Sequence, residues 1–373
     1  MKELKKLILA FGFIAAAQAQ TSFEQDAYFS NLNNFTFFNP ELSSILQFPN
    51  HWNDQQFHFR WNTHLYHGNN FALHTSLRNR LFTGYAWQEN LYNFKEQLEL
   101  DFLDLISINT KNSGLHHQVD RLYAQWEKGT INVRIGRQRI NWGIQNYWNS
   151  HDLFNQINFL NFDYIENPGT DAIRVQYFRR NNAVEIAFNN DVQAGLYKFN
   201  LKSYDFQFIL AKYFKDYTLG FGWAGQLKDA GFKGEFNYFK SPVKEDNTLV
   251  GSLSFDYSFK NGIYLSTGCL YRNQAEEFNP LNLFNTEITA KSPMPFKYNF
   301  LYQIVYPIHP LVQIGATVIH DADGRFVFVN PQLNISITES LDLLVGSQMT
   351  YLKLFDKLED FNKIVFTRLQ WSL

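Results

Sequence analysis

From residue 57 onward the chain alternates apolar and polar side chains with a period of two. Phe57-His58-Phe59-Arg60-Trp61-Asn62-Thr63-His64-Leu65 is the plainest stretch: odd positions are apolar or Thr, even positions His, Arg, Asn and His. Successive side chains of a strand point to opposite faces, so this segment has one apolar wall and one wet wall. After His67-Gly68-Asn69-Asn70, a turn by composition, Phe71, Leu73, Leu77 and Leu81 alternate with His74, Ser76, Arg78 and Arg80. The pattern returns over residues 121–126, 131–135, 218–223, 232–238, 249–259 and 298–306. Lys260-Asn261-Gly262 supplies a hairpin turn of the Asn-Gly type. About 18 such segments can be laid out, within a range of roughly 16–18, each near the length that crosses a bilayer at a tilt. A soluble β-sandwich also alternates, but it needs far fewer and shorter strands. The expected fold is therefore all-β, a transmembrane antiparallel β-barrel over residues 57–373.

Composition agrees. Aromatic residues make up 18% of the chain, with 38 Phe, more than one ordinary core uses. Mean hydropathy is nonetheless −0.32, the value of a soluble protein. A barrel wall reconciles the two, because its apolar residues occupy alternate positions and dilute one another in any hydropathy window. Tyr66, Tyr213, Tyr271 and Tyr351 fall near strand ends, where an interfacial girdle requires aromatics. The single Cys269 excludes a disulfide framework. A net charge of −2 gives no reason to expect a nucleic-acid partner.

The N-terminus predicts export. Lys2, Lys5 and Lys6 precede an apolar run over residues 7–17, and Ala17-Gln18-Ala19 has the small-x-small form of a signal peptidase site. Residues 1–19 are read as a signal peptide cleaved after Ala19, and no Cys follows to carry a lipid anchor. At the other end Val365, Thr367, Leu369, Trp371 and Leu373 share one face. This segment resembles the C-terminal signal read by the barrel-assembly machinery, with Leu373 in place of the usual aromatic. With that end periplasmic, the connections near 180–182, 203–205, 260–262, 307–310 and 338–340 are periplasmic and short. Those at 109–117, 140–171, 241–247, 274–296 and 352–361 are external and include the longest. The stretch near 83–96 breaks this rule of short periplasmic and long external connections, which puts the strand boundaries there in question. Residues 20–56 are read as an N-terminal arm or a latch across the pore mouth, with a missed strand pair as the alternative.

Charge distribution carries the functional expectation. If apolar faces meet lipid, the lumen holds Arg60, Arg78, Arg80, Arg121, Arg134, Arg174, Lys198, Lys202, Lys233, Arg272 and Arg368, eleven bases. Five acids oppose them: Glu99, Asp101, Glu185, Glu235 and Asp256. Eight of the bases precede residue 203, so one side of the barrel is expected to be positive. Such a ladder sets anion preference in a narrow, poorly screened channel. The same residues would alternatively pair with acids across strands and only stiffen the barrel.

One motif stands apart. Ile135-Gly136-Arg137-Gln138-Arg139-Ile140-Asn141-Trp142-Gly143 ends a strand and opens the longest loop, which continues through Trp148-Asn149-Ser150-His151-Asp152-Leu153-Phe154-Asn155. Over residues 135–155 the chain resembles a superfamily of bacterial outer-membrane porins that includes the alginate-export and phosphate-selective porins. The later Asn-Pro of their pattern is displaced here to Asn167-Pro168-Gly169. The resemblance implies a passive channel whose long loop folds into the lumen, with Arg137, Arg139 and Trp142 near its base. The plainer reading is that Gly136 and Gly143 only permit backbone bends.

Signs of catalysis are thin. No spacing forces a hydrolytic triad to converge, and no P-loop, dinucleotide or zinc motif is present. His116-His117 are adjacent on an extended chain and so point apart. The sequence therefore predicts no enzyme and no cofactor, but a pore for small hydrophilic, anionic solutes in contact with outer-membrane lipid. A closed scaffold or secretion component, or a barrel hydrolase, is the alternative. Oligomeric state is left open, because a subunit interface and a lipid-facing wall carry the same pattern.

Overall fold

The computed structural model describes residues 21–91, 103–155, 169–243, 246–274, 288–354 and 357–373. In chain order the first strands are β1 (Thr21–Phe38), β2 (His51–His67), β3 (Phe71–Gly84), β4 (Asp104–Asn109), β5 (Ser113–Lys128) and β6 (Ile131–Gln138). Then come β7 (Thr170–Arg179), β8 (Asn182–Phe188), β9 (Val192–Leu201), β10 (Tyr204–Tyr213), β11 (Asp216–Leu227) and β12 (Ala230–Lys240). The last are β13 (Thr248–Ser258), β14 (Tyr264–Arg272), β15 (Tyr298–His309), β16 (Val312–Asp321), β17 (Phe326–Thr338), β18 (Leu341–Leu354) and β19 (Lys357–Ser372). A helix α1 (Pro40–Leu46) joins β1 to β2, and a single turn α2 (Tyr85–Gln88) follows β3.

Consecutive strands pair antiparallel, and β1 pairs with both β2 and β19, which closes the wall. One strand stands outside the circuit. β3 occupies one whole edge of β5, so the other edge is shared: β4 takes residues 114–118 and β6 takes 122–128. Without the short β4 the circuit has 18 strands, the number the alternation implied.

Alternation sets which face is which. Phe29, Phe59, Ile135, Ile186, Phe208, Phe236, Phe255, Tyr302 and Val365 are exposed around the outside. A belt of this extent is stable only against hydrocarbon. His58, Arg60, Ser76 and Arg78, at the intervening positions of β2 and β3, are buried inside.

Residues 21–38 form wall, so the reading of 20–56 as an arm or latch is corrected to a strand pair: β1 runs in register from Thr21 opposite His67 to Phe37 opposite His51. Its signal was weakened because Asn31 and Asn33 occupy the outward face, where they hydrogen-bond each other at 2.8 Å. The break near 83–96 also resolves. With β4 outside the circuit, the connection after β3 and the turn before β5 lie at the same, long-loop end.

Toward that loop end the interior is apolar. Inward residues Leu196, Ile209, Phe239, Leu270, Ile319, Phe326 and Leu352 form one core with Trp142, Trp148 and Phe154 of one loop, Met294 and Phe296 of another, and Leu42 of α1. Toward the short-turn end polar inward positions predominate, with a small separate apolar cluster of Leu32, Leu344 and Phe366.

Gly136 is the backbone point on which β6 depends. Its φ is +119°, and a Cβ there would lie 2.3 Å from the Leu122 carbonyl oxygen across the strand pair. Gly136→Ala is expected to destabilise the barrel by about 1–3 kcal/mol, the usual cost of a forced backbone outlier. A lowered thermal unfolding midpoint in detergent would register it.

Candidate functional site

The positive wall begins with two like-charged cross-strand pairs. Arg60 lies opposite Arg78 and Arg134 opposite Arg174. Such pairs are destabilising unless compensated, and the fold compensates both. In β5 the register passes from Ser76 opposite Arg121 to Leu77 opposite Val119, omitting Asp120. This bulge turns two successive side chains inward, and both Asp120 and Arg121 are buried. Asp120 Oδ2 then sits 2.7 Å from Arg60 Nη2, and its Oδ1 3.0 Å from Arg121 Nη1. Arg174 donates to both oxygens of Glu185, at 2.6 and 2.8 Å. Arg78 Nε donates to His58 Nε2 at 3.0 Å, and Arg80 Nη2 lies 3.0 Å from His116 Nδ1.

Arg137 closes a seam. It grips both oxygens of Asp171 at 2.9 and 2.8 Å and donates to the Val119 carbonyl at 3.2 Å. That carbonyl lies on the stretch of β5 edge between the parts paired to β4 and to β6. Arg137 therefore serves the wall rather than the lumen. Lys202 is also displaced from the pore: it sits in the β9–β10 turn at φ 52° and is exposed. Arg139 is exposed at the start of the loop after β6. Three inward bases differ from Arg60, Arg121 and Arg174: among the described residues, Arg134, Lys198 and Lys233 have no carboxylate within 4 Å, and Lys233 donates to Asn146 Oδ1 instead. Arg134 instead stacks over the Tyr123 ring at 5.6 Å. Lys198 borders a cavity of about 340 Å³ with Gln207, Asp205 and the loop residue Ile144.

The count of five inward acids was too low. Glu24, Asp26, Asp54, Asp104, Asp120, Glu127 and Asp205 all occupy inward register positions. β1, β4 and the start of β2 lay outside the recognised strands, and the bulge reverses the phase at Asp120. Glu99 and Asp101 lie outside the described residues.

The described part of the loop after β6, residues 139–155, reaches across the interior to β12, and one carboxylate organises it. Glu235 of β12, fully buried, accepts the backbone N–H groups of Ile144, Gln145 and His151 and the Ser150 hydroxyl. Asp152 accepts the backbone N–H groups of Trp142 and Gly143, at 2.7 and 2.6 Å, which folds the loop on itself. Gln145 reaches the Ser252 carbonyl at 2.9 Å, and Tyr147 donates to Gln303 at 3.0 Å. The indole N–H of Trp142 donates to Glu185, tying the loop to the Arg174 pair. Burial pushes the His151 imidazole down to about 3. It is therefore neutral near pH 7, with Nδ1 facing the Gln207 amide and Nε2 facing the Phe236 carbonyl. The sequence had singled out Glu235 only as an inward acid, because a contact 91 residues away leaves no local pattern.

A second inner segment precedes β15. Arg272 donates to Ser292 Oγ at 2.8 Å, and Lys291 bridges Asp216 and Asp246, each at 2.8 Å. Burial and these two carboxylates act in opposite directions on Lys291, and the net effect raises its pKa.

No protein-family model matches the chain. No curated protein matches it either. Solved structures do. OccK7 (OpdD) of Pseudomonas aeruginosa superposes with a TM-score of 0.58 at 9% identity, covering 94% of this chain and 99% of that one. OccAB2 of Acinetobacter baumannii gives 0.58 at 8% identity, with 94% and 98% coverage. The outer membrane protein OpdK of P. aeruginosa gives 0.56 at 6% identity, with 94% and 99% coverage. At these identities the likeness is one of fold.

Proposed function

We propose that this protein is an outer-membrane channel for passive diffusion of small hydrophilic solutes, exported by cleavage after Ala19. One observation carries the reading: a closed wall, apolar outside and charged inside, with the loop after β6 held across its interior by hydrogen bonds to Glu235. A purely structural barrel has no need of a loop hydrogen-bonded across its interior. A channel uses such a loop to set the width through which solutes pass. The likeness in fold to OpdK, an outer membrane protein, supports the same placement.

Selectivity is assigned to Arg134 and Lys198, with a preference for anionic solutes. Arg60, Arg121, Arg137 and Arg174 spend their charge on Asp120, Asp171 and Glu185. A cation without a bound carboxylate is the one that attracts a passing anion, because its field is not cancelled at short range. The mechanism is selection by width and field, with no bond made or broken.

Single-channel recording in planar bilayers under a salt gradient tests this. Discrete openings with anion preference are expected, and Arg134→Ala and Lys198→Ala should each move the reversal potential toward cation preference. Unchanged reversal potentials would remove the anion assignment. Silence from well-folded protein would favour a closed scaffold, a reading that the apolar packing at the loop end makes specific.

A further inference from the structure

Four strands place a row of ligand-bearing side chains in register near the short-turn end. Glu24 of β1 lies opposite His64 of β2, His64 opposite His74 of β3, and His74 opposite Tyr123 of β5. All occupy inward positions, so an ion in the lumen meets them together. The imidazoles of His64 and His74 approach with their Nδ1 atoms 2.6 Å apart. By contrast, His116 faces Arg80 within the lumen while its neighbour His117 bonds Asn79 and Ser107.

Two imidazole nitrogens at this distance share one proton as a hydrogen bond, and a metal ion can take that proton's place between them. A divalent ion held tetrahedrally at about 2.0–2.1 Å from each needs them about 3.3–3.4 Å apart, which a retreat of about 0.4 Å by each ring provides. The surroundings fit the same role. Asp26 Oδ2 lies 4.0 Å from Nε2 of His64, beyond direct hydrogen-bond reach, and so places a second carboxylate beside the pair. His74 is oriented by stacking on Tyr123, with centroids 4.6 Å apart and planes at 19°. No three ligand side chains converge as they stand among the described residues, but Glu24 is exposed and directly across from His64, so it is the carboxylate in register to swing in as a third ligand. The His64 side chain is 31% exposed, which leaves a path for the ion and a position for water.

We infer that His64, His74 and Glu24 form a binding site for a divalent transition-metal ion of the zinc or copper class. Imidazole nitrogen suits zinc, copper and nickel, whereas calcium and magnesium require oxygen ligands. The site stands whether or not the barrel conducts, because binding is read directly.

Calorimetric titration of the detergent-folded barrel with Zn²⁺ should show one site per chain. His64→Ala and His74→Ala should each weaken it by about tenfold or more, and Glu24→Gln by less. His67→Ala should leave it unchanged, since His67 pairs instead with Thr21 across the strands. Electron paramagnetic resonance of wild-type protein loaded with one equivalent of Cu²⁺ should show coupling to two imidazole nitrogens, a readout that needs no variant. Absence of stoichiometric Zn²⁺ binding in the wild type would overturn the inference. So would binding that survives both single His substitutions, binding lost in His67→Ala, or a copper spectrum without imidazole coupling.

Discussion

Glu235→Ala is expected to free the inner loop from the far wall and raise single-channel conductance. Three backbone N–H groups and one hydroxyl converge on this carboxylate from Ile144, Gln145, His151 and Ser150. A buried donor left without an acceptor costs about 1–3 kcal/mol. Losing the acceptor for all of them makes the docked conformation the unfavourable one. The loop then relaxes toward solvent, where water satisfies the same groups, and the lumen widens. Unfolding should become easier at the same time, by up to about 3–5 kcal/mol, the range for breaking a buried charged network from one side. Glu235→Gln keeps one carbonyl oxygen and should fall between wild type and Ala in both measurements. An unchanged conductance in Glu235→Ala, with the protein folded, would show that the loop is held by its apolar contacts alone.

The second large effect is expected at Asp120. This carboxylate is buried and lies between Arg60 and Arg121, 2.7 and 3.0 Å from their nitrogens. Asp120→Ala removes the carboxylate that both guanidinium groups contact, beside the like charge of Arg78. A loss of about 3–5 kcal/mol in unfolding free energy follows from removing one side of a buried ion cluster. Replacing the whole cluster, as R60M with D120A and R121M, should cost much less, because no orphaned charge then remains. Chemical denaturation of the three proteins in detergent decides the matter. Equal losses in the single and triple variants would mean that the bulge geometry matters, rather than the charge.

Strand existence and facing were legible in the sequence because they are local. The period of two over residues 57–65 and 71–81 depends only on adjacent side chains pointing apart, and it correctly gave β2 and β3 their wet and apolar faces. The strand number followed, since each repeat is one crossing. β1 is missed for an equally local reason: Asn31 and Asn33 interrupt its apolar face, joined by a hydrogen bond from Asn33 Nδ2 to Asn31 Oδ1. Its pairing with β19 joins residues more than 300 positions apart, and this closure is what makes it wall.

The lumen's chemistry was only half legible. Composition and phase put Arg60, Arg78, Arg134 and Arg174 inside, but their partners come from elsewhere in the chain. Asp120 faces inward only because a bulge shifts the phase of β5 by one residue. Arg137 was set apart by its motif, yet it is the gap left on the β5 edge that gives it a wall-closing role. The loop after β6 shows the same division. Its Trp and Asn content marked it as unusual, whereas its course across the lumen is set by Glu235, Glu185 and Gln207 on three distant strands. Alternation is written residue by residue and so belongs to the sequence itself. Neutralisation of buried charge and the docking of a loop depend on which strands the closed barrel makes neighbours, and only the tertiary structure decides that.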